Sequence, residues 1–299
     1  MREDIRRVQQ SMEREGYVTD RATATAVYLA VTLRKPLLIE GHPGVGKTEV
    51  AKVLARMLDT ELIRLQCYEG LDVTTALYEW NYPKQILHIK LDEGSGHSLH
   101  DKEAVIFSES FLLERPLLRA IRNEERSPVL LVDEVDRSDE EFEAFLLEVL
   151  SDYQVTIPEI GTVRATHPPH VVLTSNRTRE LSEALRRRCL YLWVEYPALE
   201  KELSIVLAKV PGIDEHLARE LTAVVQGTRR LKLTKTPGVA ETLDWAHALV
   251  ALAATRLDDE IVAETLGCFL KDESDIRRLT DELATRGVAA LAAEGAAAG

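Results

Sequence analysis

Residues 41 to 48 read Gly-His-Pro-Gly-Val-Gly-Lys-Thr, a spacing that can cradle phosphate. Gly41, Gly44 and Gly46 let the backbone curl closely around an anion, and the loop amides point inward at a helix N-terminus that favours negative charge. Lys47 adds a positive charge near the terminal phosphates, and the Thr48 hydroxyl is placed to ligate magnesium. The loop from Gly41 through His42, Pro43, Gly44, Val45, Gly46, Lys47 and Thr48 to Glu49 is therefore the expected cofactor-binding segment for a nucleoside triphosphate such as ATP with Mg2+.

A carboxylate pair follows well downstream. Val129-Leu130-Leu131-Val132 is fully apolar, as a buried parallel strand should be, and it ends in Asp133-Glu134. A strand end beside a phosphate loop is where such an enzyme needs a carboxylate to hold the magnesium shell, and Asp133 fits that role. Glu134 is the candidate to orient and polarise the attacking water. Kinases and small GTPases with phosphate loops do not usually carry the adjacent glutamate, so the pair points to an ATPase. Asp136, Asp139, Glu140, Glu141 and Glu143 read instead as the solvated opening of a helix whose buried stripe is Phe142, Phe145, Leu146 and Val149.

Val171-Val172-Leu173-Thr174 is a third strand and leads into Ser175-Asn176. Asn176 is either the polar group that reaches the water beside the γ-phosphate or an ordinary strand-end turn former. Arg186-Arg187-Arg188-Cys189 comes next and opens the apolar run from Leu190 to Val194. The three arginines are either a surface patch or the source of an arginine finger offered to a neighbouring subunit, a group that neutralises transition-state charge.

These residues need a scaffold, and the periodicities supply one. Leu37 to Glu40 reads as the strand before the loop, and Val50, Val53, Leu54, Met57 and Leu58 give the following helix its apolar face. Glu61 to Leu65 alternates as a strand. Arg2 to Arg14 is a charged amphipathic helix, either an arm against a neighbour or a solvated start, and Thr23 to Leu33 is a second helix. Residues 67–103 form an insert ending in the polar loop from Asp92 to Ser98. Trp80 and Tyr82 within it are either interface anchors or a local hydrophobic plug. A composition break near Tyr196-Pro197 separates a helical region with segments Glu200 to Lys209, Asp214 to Thr228, Pro237 to Ala254 and Asp258 to Leu270. Trp245 falls on an apolar helix face and reads as core. The Ala- and Gly-rich end, Val288 to Gly299, reads as frayed.

Composition sets limits. A chain of 299 residues with 45% hydrophobic content supports one large and one small domain. The net charge of −13 argues against nucleic acid as the default partner, because backbone binding needs clustered Lys and Arg. No window of about 18 apolar residues exists, which gives no membrane span. The charged segment from Met1 to Gly16 is no signal peptide, so a cytoplasmic location is expected. Cys67, Cys189 and Cys268 are widely spaced and read as buried thiols, and the eight histidines lack paired spacing for a metal.

This set of motifs, in this order, resembles the AAA+ ATPases from about residue 16 to about 285. Within them the stretch from Leu147 to Ala165 resembles the MoxR branch. There it ends a helix, turns at Pro158 to Gly161 and returns along Thr162 to Ala165, with the pairing register open. Gln66 to Asp72 and Ala76 to Tyr82 look like the CoxD-type subgroup of carbon monoxide dehydrogenase operons. The resemblance implies an α/β core over residues 1–197, a P-loop AAA+ domain with a parallel five-stranded sheet flanked by helices, and a small all-α lid over residues 198–299. It further implies a homo-oligomer in a hexameric ring with ATP between subunits and a partner carrying a von Willebrand factor A domain. The implied role is chaperone-like maturation or remodelling of a metalloenzyme client. By the same resemblance the loop is Walker A, Asp133 and Glu134 are Walker B and Asn176 is sensor 1. Arg188 is then the first candidate for the finger and Arg187 the second. One element departs: Gly238 stands where the family has its sensor 2 arginine, so either a cation such as Lys235 takes over or hydrolysis is slow. Three readings stay open at this level: a remodelling ATPase, a nucleotide-gated assembly scaffold with little turnover, and a DNA-acting motor that the acidity disfavours.

Overall fold

The structure is a computed structural model, and it describes residues 2–92 and 99–297. Positions 93–98 of the polar loop expected in the insert lie outside the described residues, as do the last two positions of the chain. In chain order, α1 (Arg2–Arg14) and α2 (Arg21–Leu33) precede β1 (Leu37–Gly41), α3 (Lys47–Met57) and β2 (Leu62–Gln66). Next come α4 (Val73–Ala76), β3 (Tyr78–Trp80), α5 (Tyr82–Leu91), α6 (Leu99–Ile106), β4 (Leu112–Glu114) and α7 (Pro116–Ile121). The α/β part is completed by β5 (Val129–Asp133), α8 (Glu140–Asp152), β6 (Gln154–Ile157), β7 (Gly161–Arg164), β8 (His170–Ser175), α9 (Glu183–Arg188) and β9 (Leu190–Val194). The C-terminal helical region holds α10 (Leu199–Lys209), α11 (Glu215–Thr228), α12 (Val239–Ala251), α13 (Asp259–Phe269) and α14 (Glu273–Ala296).

The chain divides into two compact units, one of Met1–Val8, Arg21–Glu40 and Val50–Leu192, the other of Gln9–Asp20, Gly41–Glu49 and Trp193–Gly299. The first is built on a five-stranded parallel sheet in the order β2-β5-β8-β1-β9, with flanking helices. β5 and β1 are buried along their whole length, as expected for central strands covered on both faces. Their pairing with β8 and β2 brings Gln66, Asp133 and Glu40 to one edge of the sheet, with Glu40 opposite Ser175 and Gln66 opposite Asp133. Ligands of open α/β sheets bind at this carboxyl edge. Leu38, Leu130, Val132, Phe142, Leu146 and Leu173 pack in one core beneath it.

The hairpin after α8 forms with the register Gln154↔Arg164, Val155↔Val163, Thr156↔Thr162 and Ile157↔Gly161. Tyr153 closes α8 in a left-handed conformation and starts it. In the insert, β3 and β4 pair antiparallel. Trp80 is buried in the core, packed edge-on to Phe107 and Tyr78, and is therefore a plug. Tyr82 is more than half exposed and shares α5 with the exposed Ile86, Leu87 and Leu91. The first helix is not simply solvated, since Ile5 and Met12 are buried.

In the second unit, Trp245, Phe269, Leu221, Val224, Leu279 and Leu291 share a core. Trp245 stacks on Phe269 at 4.3 Å and donates its indole N–H to Thr265 at 2.8 Å. The frayed end expected from Val288 onward is instead the second half of α14, redirected at Gly287. Val288 and Leu291 are buried, and Gly295 and Gly227 let α14 and α11 cross so closely that a Cβ at either would collide with the opposing backbone carbonyl. Small residues at this end serve close packing, which composition alone does not distinguish from disorder.

No helix among the described residues is long and apolar enough to cross a membrane. Trp245→Ala is expected to lower the stability of the helical region by about 3–5 kcal/mol, the range for deleting a buried tryptophan. Denaturant unfolding followed by circular dichroism measures it, and a loss below about 1 kcal/mol would contradict this packing.

Candidate functional site

The phosphate loop lies between β1 and α3. Gly44 and Gly46 have φ of +74° and +91°, a region that residues with side chains seldom adopt, so the turn needs glycine at both. Lys47 opens α3, and its buried ammonium donates to the carbonyls of Gly41 at 2.9 Å and His42 at 2.7 Å. Val45 is buried, and Thr48 and Glu49 continue the first turn, with Glu49 accepting from Lys209 at 3.4 Å. His42 stacks on Tyr196 at 4.6 Å and meets Trp193 edge-on.

The first turn of α12 sits against this loop. Ala240 donates its N–H to the Gly44 carbonyl at 3.1 Å, and Gly238 donates to the Glu241 carboxylate at 2.9 Å. A Cβ on Gly238 would stand 2.7 Å from the Pro43 carbonyl oxygen and 2.9 Å from the Gly44 Cα. Gly238 therefore meets the loop with backbone. Lys235, named as a stand-in, directs its ammonium to the Lys271 carbonyl at 3.5 Å and to Asp272 at 3.8 Å. A buried ion pair braces the same turn. Arg229 donates to both Glu202 oxygens at 2.6 Å and to the Pro237 carbonyl at 2.8 Å, while its guanidinium covers the Tyr196 ring. Thr242 donates to Glu202 as well.

The acidic centre lies within the first unit. Asp133 is buried at the end of β5. Thr174 on β8 donates to its Oδ1 at 2.5 Å, and Arg64 on β2 donates to its Oδ2 through Nε at 3.0 Å and Nη2 at 2.6 Å. Glu134 follows in a left-handed conformation, φ +54° and ψ +49°, with its N–H on Thr174 Oγ1 at 2.9 Å. Its carboxylate accepts from Gln66 Nε2 at 3.1 Å, Asn176 Nδ2 at 3.3 Å and Arg137 at 3.4 Å. Asp133, Glu134 and Asn176 are thus brought together. The Asp133 carboxylate, already paired with a cation, presents hard oxygens of the kind that suit a divalent ion such as magnesium. Among the described residues no group of three His, Cys, Asp or Glu gathers into a metal cage.

Two acids expected in solvent are buried. Asp136 accepts from the N–H groups of Asn176 and Thr178 and from the Thr178 hydroxyl, holding the loop that carries Asn176. Glu143 pairs with Arg179 and accepts from the Ser182 N–H at 2.8 Å. A buried carboxylate needs such partners, and the loop after β8 supplies both sets. Glu143 next to Phe142 and three residues before Leu146 lies inside the apolar stripe, a signal that a helical wheel carries.

The three arginines end α9 instead of opening a strand. Arg186 faces buried Glu40 at 3.6 Å, where Tyr191 also donates at 2.9 Å. Arg187 is exposed and pairs with Glu183, and Arg188 is exposed with Nη1 on the Leu147 carbonyl at 2.9 Å. The cysteines form no site: burial, with the charge of Asp133 next, pushes the Cys67 thiol up to about 12, and burial does the same to Cys189. Cys189 and Cys268 are half-buried, less enclosed than expected.

A phosphate loop after the first strand of a parallel sheet, with an acid pair ending another strand, is the layout of P-loop nucleotide hydrolases. Residues 36–189 match the AAA domain (dynein-related subfamily), and the chain belongs to that family of ATPases. It is 23% identical over 229 residues to the denitrification regulatory protein NirQ of Pseudomonas aeruginosa, covering 74% of this chain and 73% of that one. It is 27% identical over 171 residues to an uncharacterized protein of Staphylococcus aureus, covering 55% of this chain and 57% of the other. Among solved structures it resembles the Thermotoga maritima RuvB Holliday junction branch migration motor, with a TM-score of 0.47 at 19% identity over 90% of this chain and 71% of that one. A putative ATPase from Cytophaga hutchinsonii gives a TM-score of 0.48 at 17% identity over 93% and 85%.

Gly238→Ala is expected to weaken binding of a fluorescent ATP analogue about tenfold, since the added methyl overpacks the loop. Unchanged affinity would show that the loop yields without consequence for nucleotide.

Proposed function

We propose that this protein is a MoxR-type ATPase of the CoxD-like kind, which hydrolyses ATP to remodel or mature a metalloenzyme together with a partner bearing a von Willebrand factor A domain. The observation that carries hydrolysis is the Glu134 carboxylate held between Gln66 and Asn176 at the end of β5. A carboxylate fixed by amide donors is ready to accept a proton from water once those donors release it. In this reading Gly41 to Glu49 bind the phosphates, Thr48 and Asp133 hold magnesium, Glu134 polarises water and Asn176 orients it. Bound magnesium neutralises charge on the phosphate oxygens.

Residues 198–299 act as the lid, whose α12 turn rests on the phosphate loop. The proposed client follows from the CoxD-like stretch at 66–82, and the relative described as a denitrification regulatory protein is compatible with a regulator acting on another protein. The hexameric ring is proposed with Arg188 as the finger and Arg187 as the second candidate. Both are exposed, whereas Arg186 faces Glu40.

A second reading has one observation in its favour. Gly238 in place of the sensor arginine leaves the α12 turn with backbone and the Glu241 carboxylate at the loop, which suits a nucleotide-gated scaffold that turns over little. The net charge of −13 disfavours a DNA-acting motor.

Steady-state ATP hydrolysis across a range of protein concentrations tests the proposal. The specific rate is expected to rise with concentration as subunits complete one another's sites, and no hydrolysis at any concentration would favour the scaffold. Glu134→Gln is expected to keep nucleotide binding and lose turnover by at least about a hundredfold, the lower end for a general base. Arg188→Ala should lose turnover while its melting curve stays unchanged, and hydrolysis at the normal rate would move the finger to Arg187 or Arg186, or remove the ring.

A further inference from the structure

Arg64 is not required by phosphate chemistry, yet it touches the Asp133 carboxylate. It lies opposite Leu131 of β5, and strand alternation puts it on the same face as Gln66, which lies opposite Asp133 itself. Its Nε and Nη2 both donate to Asp133 Oδ2, while Oδ1 is taken by Thr174. Nη2 also donates to Gln66 Oε1, and Gln66 Nε2 donates on to Glu134. The orientation of that amide is set from both ends: the arginine requires its oxygen and the glutamate requires its nitrogen. The arginine side chain is 53% exposed and the aspartate 4%, so the cation can swing into solvent while the carboxylate cannot follow.

We infer that Arg64 is a displaceable counter-cation of Asp133, which couples arrival of a divalent metal at that carboxylate to release of Glu134. The inference rests on the reading of Asp133 as the magnesium-side carboxylate. A dication taken up by this carboxylate would need the Oδ2 lone pairs that the guanidinium now occupies, and the two positive charges would repel each other. Metal and arginine therefore compete for one oxygen. When the guanidinium withdraws, the Gln66 amide loses the donor that fixes its orientation, and the grip of that amide on Glu134 loosens. By linkage, whatever holds Glu134 on Gln66 also strengthens Arg64 against the metal. Arg64 is a positioning residue, since its action on the reacting groups passes through Asp133 and Gln66.

The test is binding of a fluorescent ATP analogue to the full chain, with magnesium titrated in from excess EDTA. Arg64→Gln is expected to lower the magnesium concentration at half-effect by about fivefold, the order of a half-exposed ion pair. Arg64→Lys, which keeps the charge but not the double donation, should fall between Arg64→Gln and the native protein. Melting temperatures add an independent reading: Arg64→Gln should melt below the native protein in EDTA, and the gap should close with saturating magnesium and nucleotide. An unchanged magnesium midpoint in Arg64→Gln would overturn the inference and leave Arg64 a structural partner. Asp133→Asn separates the two readings, because a normal midpoint in that variant would overturn the metal role of Asp133 itself.

Discussion

A carboxylate buried at a strand end must be hydrogen-bonded or paired, and the acidic centre is organised by that requirement at Asp133. Its two oxygens face two different neighbours of β5, Thr174 from β8 on one side and Arg64 from β2 on the other. Only a strand with a partner on each side can be served in this way, so the sheet order is itself part of the chemistry. Thr174 works twice, donating to Asp133 and accepting the Glu134 N–H. The backbone that aims Glu134 is thereby set by the same residue that satisfies its neighbour.

The phosphate loop is held by different means. Its glycines free the backbone, and its surroundings restrict it again through contacts that need no side chain at Gly238. Behind that contact, Glu202 and Arg229 form a buried pair satisfied by Thr242 and the Pro237 carbonyl. Removing one partner of such a pair leaves an uncompensated charge, which is far more costly than never having built the pair. His42 and Arg229 meet the same tyrosine ring, so a loop residue and the braced turn share one aromatic surface.

Sequence made the sheet strands and most helices legible because their signals are local. Apolar runs ending in Glu40, Asp133 and Ser175 are buried strands, and the 3.6-residue stripe through Phe142 and Leu146 is a core-facing helix. The loop glycines and the Asp133-Glu134 pair were equally readable, since each is a contiguous motif. What stayed hidden depends on residues far apart in sequence. Asp136 and Glu143 look solvated until the loop carrying Asn176 and Arg179 folds over them. Arg64 and Gln66 look like the polar face of an edge strand, although two polar residues two apart in a strand otherwise made of leucine and isoleucine were a usable sign. The end of the chain misled for another reason, because alanine and glycine serve a close helix crossing as well as they serve disorder.

Glu134 carries a backbone conformation that glycine or asparagine would take more readily, at a cost of about 1 kcal/mol for a residue with a Cβ. Its partly buried carboxylate adds a desolvation cost that its amide donors and Arg137 offset. If Glu134 polarises water as proposed, folding and turnover favour different residues at one position. Replacement by glycine would then relax the strand end and quieten the chemistry in the same stroke, so the most stable version of this strand end would be an inert one. On that proposal a glutamate here is held by its use and not by its fit.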